Sequence, residues 1–351
     1  MVLNNDYGHG GDVYRNRVRL DFSANVNPLG TPPEVVRAVA ESAARLAAYP
    51  DPYCGRLREK LAEVHGVDAG DVVCGNGAAE LIFQFAAALR PRRALLPVPS
   101  FSEYEAALAS VGCETAFFPL SRADGFAVTE ALLPEITEET DALVLCTPNN
   151  PTGRSVDAAL LGRILDRCRA TGTWLLLDEC FLDLTDAGAE NSVIPALTES
   201  DRCFVLRAFT KLYGMAGVRL GYGVCRDRGF LETLCRTAQP WNVSAPAQAA
   251  GEAALGCRDF VARTLALIAE EKAYLLRELR ALGVGVLPGE ANFLMLSGVP
   301  GLYDRLLERG ILIRSCANYR GLEEGDCRIA VRTHAENELL IAALREVCGH
   351  A

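Results

Sequence analysis

The sequence predicts an α/β protein built on one large sheet of seven strands. Three observations predict it: short apolar runs alternate with longer helix-patterned stretches between about residues 71 and 224, these runs are uniformly apolar, and the pattern changes after Pro240. Alternating strand and helix signals are typical of layered α/β sheets, and strands without polar alternation are covered on both faces. The change after Pro240 predicts a second, smaller α+β domain.

Seven apolar segments are the predicted strands. They are DVVCG (71–75), ALLPV (94–98), ETAFF (114–118), ALVLC (142–146), TWLLLD (173–178), CFVLR (203–207) and RLGYGV (219–224). The segments AELIFQFAAAL and VDAALLGRILDRCRA lie between strands and carry apolar residues three and four positions apart. That spacing predicts helices that pack on the sheet.

The rest of the chain predicts the smaller domain and an N-terminal arm. We expect a long helical region from about Ala245 to Leu282, then GVGVLPGEANFLMLS, another helix, a final strand CRIAVR and a terminal helix. The expected division is an arm (1–35) that contributes to the small domain and the active site, a large domain (36–240) and a C-terminal small domain (241–351). The Pro- and Gly-bearing segment 25–33 is the expected hinge of the arm.

Composition excludes several classes of protein. Of 351 residues, 50% are hydrophobic and 23% are charged, and the formal charge is -10. This balance is that of a globular protein, and the acidic excess argues against nucleic acid or an anionic membrane as a partner. No apolar run approaches the roughly 18 residues of a membrane span. The N-terminus carries no export signal, so the expected location is the cytoplasm.

The cysteines and histidines do not form a metal motif. No two of the 13 cysteines have C-x-x-C spacing, and His9, His65, His334 and His350 are scattered. We therefore predict no metal site, and thiols that are buried as small hydrophobic groups in a reducing compartment.

The segment GNGAAE (75–80) predicts a phosphate-binding turn. Two glycines leave a strand and Ala78 opens a helix, so free backbone N–H groups and the helix dipole can face an anion. Glu80 stands where a dinucleotide fingerprint needs a third glycine. A plain strand-to-helix turn remains the alternative.

Two charged residues follow buried strands. Asp178 ends the hydrophobic strand of LLLDEC, and Lys211 lies in RAFTKLYGMAGVRLGY, eight residues before Arg219. A buried carboxylate needs a partner, and a lysine in an apolar setting can have a lowered pKa and become nucleophilic. Taken singly, Asp178 could cap a loop and Lys211 could be exposed. Together with the phosphate-binding turn, they form the set that pyridoxal 5′-phosphate requires.

These motifs and CTPNNPTG (146–153) resemble the fold-type I, pyridoxal-phosphate-dependent aminotransferase superfamily over nearly the whole chain. The resemblance implies a mostly parallel sheet, with Lys211 carrying the cofactor covalently and Asp178 keeping its ring nitrogen protonated. It implies that Asn150 binds the ring hydroxyl and that Phe101 stacks on the ring. The resemblance also implies that the cofactor phosphate is held by Gly77, Ala78, Thr210 and Arg219.

The same resemblance implies a homodimer with shared active sites. Tyr49 of AAYPDPY is similar to a tyrosine that reaches the cofactor phosphate of the neighbouring subunit. Ala208 departs from the pattern, because a hydroxyl residue often stands three positions before the lysine.

Four longer strings resemble one branch of the superfamily, the L-threonine-O-3-phosphate decarboxylases of cobalamin biosynthesis, which are related to histidinol-phosphate aminotransferases. The strings are HGGD (9–12), DFSANVNPLG (21–30), LIRSCANYRGL (312–322) and CRIAVRTHAEN (327–337). The resemblance implies that Arg328 binds a substrate carboxylate and Arg314 the substrate phosphate. It also implies substrate contacts from the arm and the large domain, at His9, Gly10, Asn25 and Asn150. Arg332 is a further cation, and a doubly anionic substrate on an acidic chain needs several arginines.

The implied activity is decarboxylation of L-threonine O-3-phosphate to (R)-1-amino-2-propanol O-2-phosphate. Phe181 in DECF stands where aminotransferases of the histidinol-phosphate type usually have tyrosine, which supports the decarboxylase, and a core aromatic is the alternative interpretation of Phe181. One hydrogen bond of about 0.5 to 1.5 kcal/mol does not decide a reaction alone. The alternative is an aminotransferase acting on histidinol phosphate or a related amino acid. A regulator without activity is disfavoured because Lys211, Asp178 and Arg219 are all present.

Overall fold

The computed structural model describes residues 8–186 and 188–348. The first seven residues of the predicted arm and residues 349–351, with His350, lie outside the described residues. The α-helices are α1 (Pro33–Ser42), α2 (Gly55–His65), α3 (Ala78–Leu89), α4 (Ser102–Ser110), α5 (Ala158–Thr171), α6 (Phe209–Leu212), α7 (Arg228–Thr237), α8 (Ala245–Ala254), α9 (Arg258–Ala281), α10 (Leu302–Leu307) and α11 (His334–Cys348). The strands are β1 (Leu20–Asp21), β2 (Val72–Gly75), β3 (Arg93–Val98), β4 (Glu114–Pro119), β5 (Ala142–Cys146), β6 (Trp174–Asp178), β7 (Cys203–Ala208), β8 (Gly221–Val224), β9 (Gly285–Leu287), β10 (Phe293–Ser297), β11 (Ile311–Leu312), β12 (Arg314–Ser315) and β13 (Cys327–Ala330).

The large sheet has seven strands in the order β2-β8-β7-β6-β5-β3-β4. Only β8 runs antiparallel to its neighbours, so the predicted mostly parallel α/β sheet is confirmed. Each predicted strand is present. The largest difference is in β8, which begins at Gly221 and not at Arg219, because Arg219 has a left-handed backbone (φ 62°) that a strand does not accommodate.

Side chains of the central strands pack alternately on the two faces of this sheet. Leu143, Leu145, Leu175 and Leu177 belong to the core on one face, and their neighbours in β5 and β6 belong to the core on the other face. Because helices cover both faces, no position in these strands needs a polar residue. This explains the uniformly apolar runs.

The smaller sheet has the order β12-β13-β10-β9 and is antiparallel. The described part of the arm is built into the same region: β1 pairs with β11, the Phe22 N–H donates to the Leu312 carbonyl (2.7 Å), and the Ala330 N–H donates to the Phe22 carbonyl (2.8 Å). The arm is therefore held beside the strands that carry Arg314 and Arg328. The division into parts at residues 36 and 241 stays a prediction.

The helical region after Pro240 is interrupted. It forms α8 and α9, separated at residues 255–257, where the Cys257 N–H bonds back to the Ala254 carbonyl in a tight turn around Gly256. Glycine disfavours a helix interior, which accounts for a break at this point. Within the described residues, no helix is both long and apolar enough to cross a membrane.

Candidate active site

A cavity of about 390 Å³ lies at the carboxyl ends of the parallel strands. This edge is where open α/β sheets bind ligands, because loops and helix N-termini converge there. The large sheet contributes Asp178 at the end of β6, Asn150 after β5, and Lys211 on the short helix that follows β7. The predicted site residues that line the cavity are His9, Gly10, Asn25, Ala78, Phe101, Asn150, Asp178, Thr210, Lys211, Arg219, Arg314 and Arg328.

The predicted phosphate turn begins α3. Gly77 precedes the helix with φ 81°, and a Cβ on it would lie 2.5 Å from an Nη atom of Arg219. Glycine therefore lets the Arg219 guanidinium close over the N-terminus of α3, where backbone N–H groups lack helical partners. The Glu80 carboxylate accepts a hydrogen bond from the Asn76 N–H (2.6 Å) and so holds the turn.

Asp178 is only 5% exposed and is bound from two directions. The Tyr104 hydroxyl donates to its Oδ2 (2.6 Å) and the Cys180 backbone N–H donates to its Oδ1 (2.8 Å). Burial raises the pKa of Asp178, and these hydrogen bonds and the nearby Lys211 charge oppose the rise. The carboxylate thus has fixed partners but no direct ion pair in the described residues, which leaves it suited to a cationic ligand group.

Lys211 lies in the cavity wall. Part of its surface faces the cavity, but protein atoms surround the amine, and its Nζ lies 5.4 Å from the centre of the Phe181 ring. Burial lowers the pKa of Lys211 to about 8, and the positive charge of Arg328 adds to the effect. An amine with such a pKa is partly unprotonated near neutral pH and can act as a nucleophile.

Asn150 is oriented by two donors. Its Oδ1 accepts a hydrogen bond from Arg328 Nη1 and another from the Tyr319 hydroxyl (3.4 Å). Because the oxygen is occupied in this way, the Nδ2 group is the part of Asn150 that remains to donate to a ligand. This agrees with the predicted hydrogen bond to a ring hydroxyl.

Arg314 and Arg328 are neighbouring buried cations. They face each other directly across β12 and β13 and are 8% and 6% exposed. In the described part of the chain, neither guanidinium lies within 4.0 Å of a carboxylate. Burial lowers the pKa of Arg328, and the charge of Arg314 contributes to the lowering. Two adjacent buried positive charges without an anionic partner create a strong demand for an anionic ligand.

The arm closes one side of the cavity. The side-chain oxygen and nitrogen of Asn25 are buried without a hydrogen-bond partner, and Arg328 Nη2 donates to the Ser23 carbonyl (2.8 Å). His9 lies 3.0 Å from a carboxylate oxygen of Glu103. Buried polar atoms of this kind are normally satisfied, so Asn25 is available to a polar ligand.

Two sequence-level candidates lie elsewhere. Tyr49 is 79% exposed, does not line this cavity, and stacks on Trp241 with ring centres 4.6 Å apart. Arg332 also lies outside the cavity lining, because its guanidinium pairs with Glu336 (2.8 Å) at the start of α11. Arg332 therefore does not join Arg314 and Arg328 as a further substrate-binding cation in this cavity.

Two tyrosines in the site were not predicted. Tyr104 lies in the first turn of α4, three residues after Phe101, which precedes the helix, and their ring centres are 5.6 Å apart. Tyr319 lies in the ANYRGL string, where nothing in the sequence indicates that its ring meets Arg314.

Comparison with known proteins identifies the family. Residues 17–344 match the class I and II aminotransferase family. A threonine-phosphate decarboxylase of Salmonella typhimurium is 44% identical over 93% of this chain and 91% of its own length. A histidinol-phosphate aminotransferase from Clostridium acetobutylicum has the same fold (TM-score 0.88, 27% identity, 95% of this chain and 100% of that one). An L-threonine-O-3-phosphate decarboxylase from Porphyromonas gingivalis has a TM-score of 0.80 at 28% identity, over 93% of this chain and 98% of that one.

The fold is shared by enzymes of both kinds, so it does not separate the two reactions. The match to the family extends from the arm to the last helix and includes every strand that borders the cavity. The chain belongs to the class I and II aminotransferase family, whose members depend on pyridoxal 5′-phosphate.

Proposed function

We propose that this chain is a pyridoxal-phosphate-dependent carboxy-lyase that converts L-threonine O-3-phosphate to (R)-1-amino-2-propanol O-2-phosphate in cobalamin biosynthesis. We further propose that it acts in the cytoplasm as a homodimer with shared active sites. The observation that carries the proposal is the pair of neighbouring buried guanidiniums, Arg314 and Arg328, in the same cavity as Lys211 and Asp178. The 44% identity to a threonine-phosphate decarboxylase supports it.

The cavity fits the cofactor. Gly77 leaves room for Arg219 at the N-terminus of α3, and this arrangement suits the cofactor phosphate. Asp178 is a buried carboxylate without an ion pair in the described residues, and it suits a protonated ring nitrogen. Asn150 keeps Nδ2 for a hydroxyl, and the lowered pKa of Lys211 suits covalent attachment. When bound, pyridoxal phosphate withdraws the electrons of the bond that is broken at the substrate Cα.

The two arginines fit a substrate that carries both a carboxylate and a phosphate. Arg328 is the deeper cation, fixed by Asn150 and the Ser23 carbonyl, and is assigned to the carboxylate. Arg314 lies across the strand pair and is assigned to the phosphate. Charge-assisted hydrogen bonds contribute about 1.5 to 3 kcal/mol each, so binding both ends fixes the orientation of the substrate between them.

Lys211 is the group of this chain that can move a proton at the substrate Cα. Lys211 lines the same cavity, and a pKa of about 8 lets its amine hold or release a proton near neutral pH. After carbon dioxide leaves, Cα must gain a proton, which Lys211 or a water held beside it supplies. The phenyl rings of Phe181 and Phe293 lie 5.0 Å apart, the first beside Lys211 and the second beside Arg328.

The test is a product analysis on the purified holoenzyme. With L-threonine O-3-phosphate labelled at the carboxyl carbon we expect labelled carbon dioxide, and we expect no glutamate from histidinol phosphate and 2-oxoglutarate. Arg314→Gln should lower kcat/KM by about 100-fold, whereas the matched control Arg332→Gln, outside the cavity lining, should stay near the wild-type value. Glutamate formation without carbon dioxide would overturn the proposal and make the chain an aminotransferase, the reaction of the Clostridium acetobutylicum protein with the same fold.

A further inference from the structure

Tyr319 is a buried side chain that contacts two parts of the site. It is 8% exposed and lines the cavity. The Arg314 guanidinium carbon lies 5.2 Å from the centre of its ring, and its hydroxyl donates to Asn150 Oδ1 (3.4 Å). One residue therefore touches both the group assigned to the substrate phosphate and the group assigned to the cofactor hydroxyl.

The ring of Tyr319 is held by its own surroundings and not by a ligand. It belongs to an apolar cluster with Leu120, Phe126, Met295, Cys316 and Leu322, which come from both the large and the small domain. The adjacent Arg320 pairs with Glu105 on α4 (2.6 Å) and covers the Phe117 ring (4.1 Å). These contacts fix Tyr319 before any substrate binds, so it can orient Arg314 in advance.

Arg314 needs such support. One of its Nη groups donates to the Ser315 carbonyl and the other donates to Asn318 Oδ1 (2.8 Å), and no carboxylate in the described residues pairs with it. An aromatic face stabilises a cation without neutralising it, whereas a carboxylate in the same place would repel a phosphate. The Tyr319 ring thus holds Arg314 as an available positive charge.

We propose that Tyr319 is a positioning residue that sets the selectivity for phosphorylated amino acids, through its ring on Arg314, and that its hydroxyl separately aligns Asn150. This inference depends on the proposed function, because it takes Arg314 to be the group that binds the substrate phosphate. Its two halves predict different kinetic effects, because the ring acts at the phosphate end of the substrate and the hydroxyl acts beside the reacting end.

The experiment compares Tyr319→Leu and Tyr319→Phe in the holoenzyme, with L-threonine O-3-phosphate and unphosphorylated L-threonine as substrates. Removing the ring should raise KM for the phosphorylated substrate about 10-fold, and lower the preference for it by a similar factor, because a desolvated cation–π contact is lost. Tyr319→Phe should keep that preference and lower kcat about 3- to 10-fold, because Asn150 loses one donor.

Binding of inorganic phosphate gives a readout that does not depend on turnover. Its competitive inhibition constant should rise about 10-fold in Tyr319→Leu and stay unchanged in Tyr319→Phe. The matched control is Tyr274→Leu on α9, where Arg277 lies over the ring at the same 5.2 Å but outside the cavity lining. This variant should change neither constant.

Equal preference for the phosphorylated substrate in wild type and Tyr319→Leu would overturn the inference, as would a loss of preference in Tyr319→Phe. A fall in kcat alone with Tyr319→Leu, at unchanged KM and phosphate inhibition, would mean a structural role only. If the wild type releases no carbon dioxide, the proposed function fails, and the same variants can be compared on histidinol phosphate, which also carries a phosphate.

Discussion

Lys211 is a buried amine whose ionisation is set by its surroundings. Burial and the charge of Arg328 lower its pKa to about 8. In the cofactor-free protein we expect an amine-selective reagent to modify Lys211 with a midpoint near that pH, and we expect Arg328→Gln to move the midpoint upward because a neighbouring cation is removed. Mass spectrometry of modified peptides measures this directly, since Lys60 and Lys272 are the other two lysines of the chain.

The same shift affects stability. Between about pH 8 and the ordinary range of a lysine, Lys211 holds fewer protons in the folded chain than in the unfolded chain, so its own contribution to the unfolding free energy of the cofactor-free protein rises with pH. Buried thiols such as Cys146, whose pKa burial raises, contribute with the opposite sign. The quantity to measure is therefore the unfolding free energy of the wild type minus that of Lys211→Met, and this difference should rise with pH across the window. In the labelling experiment Lys272 is the internal control, and its modification midpoint should not respond to Arg328→Gln. A modification midpoint of Lys211 near 10.5 in the wild type would contradict the predicted lowering of its pKa.

Tyr104 acts on Asp178 through one hydrogen bond. Its hydroxyl is among the groups that hold down the pKa of this carboxyl, which burial raises. We expect Tyr104→Phe to raise the pKa of Asp178 further, so that the acidic limb of the pH–kcat/KM profile moves to higher pH. We also expect the cofactor to bind about 10-fold more weakly, because a carboxylate that is protonated more easily holds a cationic nitrogen less well. An unchanged acidic limb would exclude this role for Tyr104.

At the scale of elements, the turn before α3 depends on a glycine. An alanine at Gly77 has to adopt φ 81° and places a Cβ 2.5 Å from Arg219. Gly66, which ends α2 with φ 66° and open space around it, offers a matched control. Both alanine variants should lose about 1 kcal/mol of unfolding free energy, but only Gly77→Ala should bind the cofactor at least 10-fold more weakly in a dialysis experiment. Equal cofactor affinity in the two variants would show that Arg219 does not close on this turn.

The sequence predicts the strands well because each is a short apolar run buried on both faces. Asp178 and Lys211 could be singled out from the sequence because they follow strand ends, which meet at one edge of a parallel sheet, whereas Asn150 was implied by the family resemblance alone; all three line one cavity. Arg332 shows where the pattern fails. A strand continued from Arg328 to Arg332 would put both side chains on one face, but β13 ends at Ala330 and α11 brings Glu336 to Arg332. Strand ends are set by tertiary contacts that a local pattern does not contain.

At the scale of the whole molecule, ion pairs and hydrogen bonds join segments that are distant in the chain. Helix α4 supplies Glu103 to His9, Tyr104 to Asp178 and Glu105 to Arg320, all from its first turn. Arg122, which follows β4, pairs with the buried Asp326 (2.6 Å), which precedes β13. These contacts depend on how distant segments pack, which explains why Tyr104 and Tyr319 were not predicted while the strand-end residues were.

The exposed Tyr49 allows a test of the proposed homodimer with shared active sites. Tyr49 and Trp241 form a stacked aromatic pair that is largely exposed, next to a second cavity of about 570 Å³ that Tyr49 also lines. Exposed aromatic pairs of this kind are enriched at protein interfaces.

If Tyr49 reaches the partner's cofactor phosphate, Tyr49→Ala and Lys211→Ala should each have little or no activity as pure homodimers. In a hybrid of the two, one site carries both changes and the other carries neither. When equal amounts of the two variants are mixed and exchange subunits, about half of the dimers are hybrids, and each hybrid has one intact site of two. The mixture should therefore regain about a quarter of wild-type activity. Mixing Lys211→Ala with Asp178→Ala, two changes within one subunit's own site, should regain none. Recovery in this second mixture, or none in the first, would place Tyr49 outside the shared site.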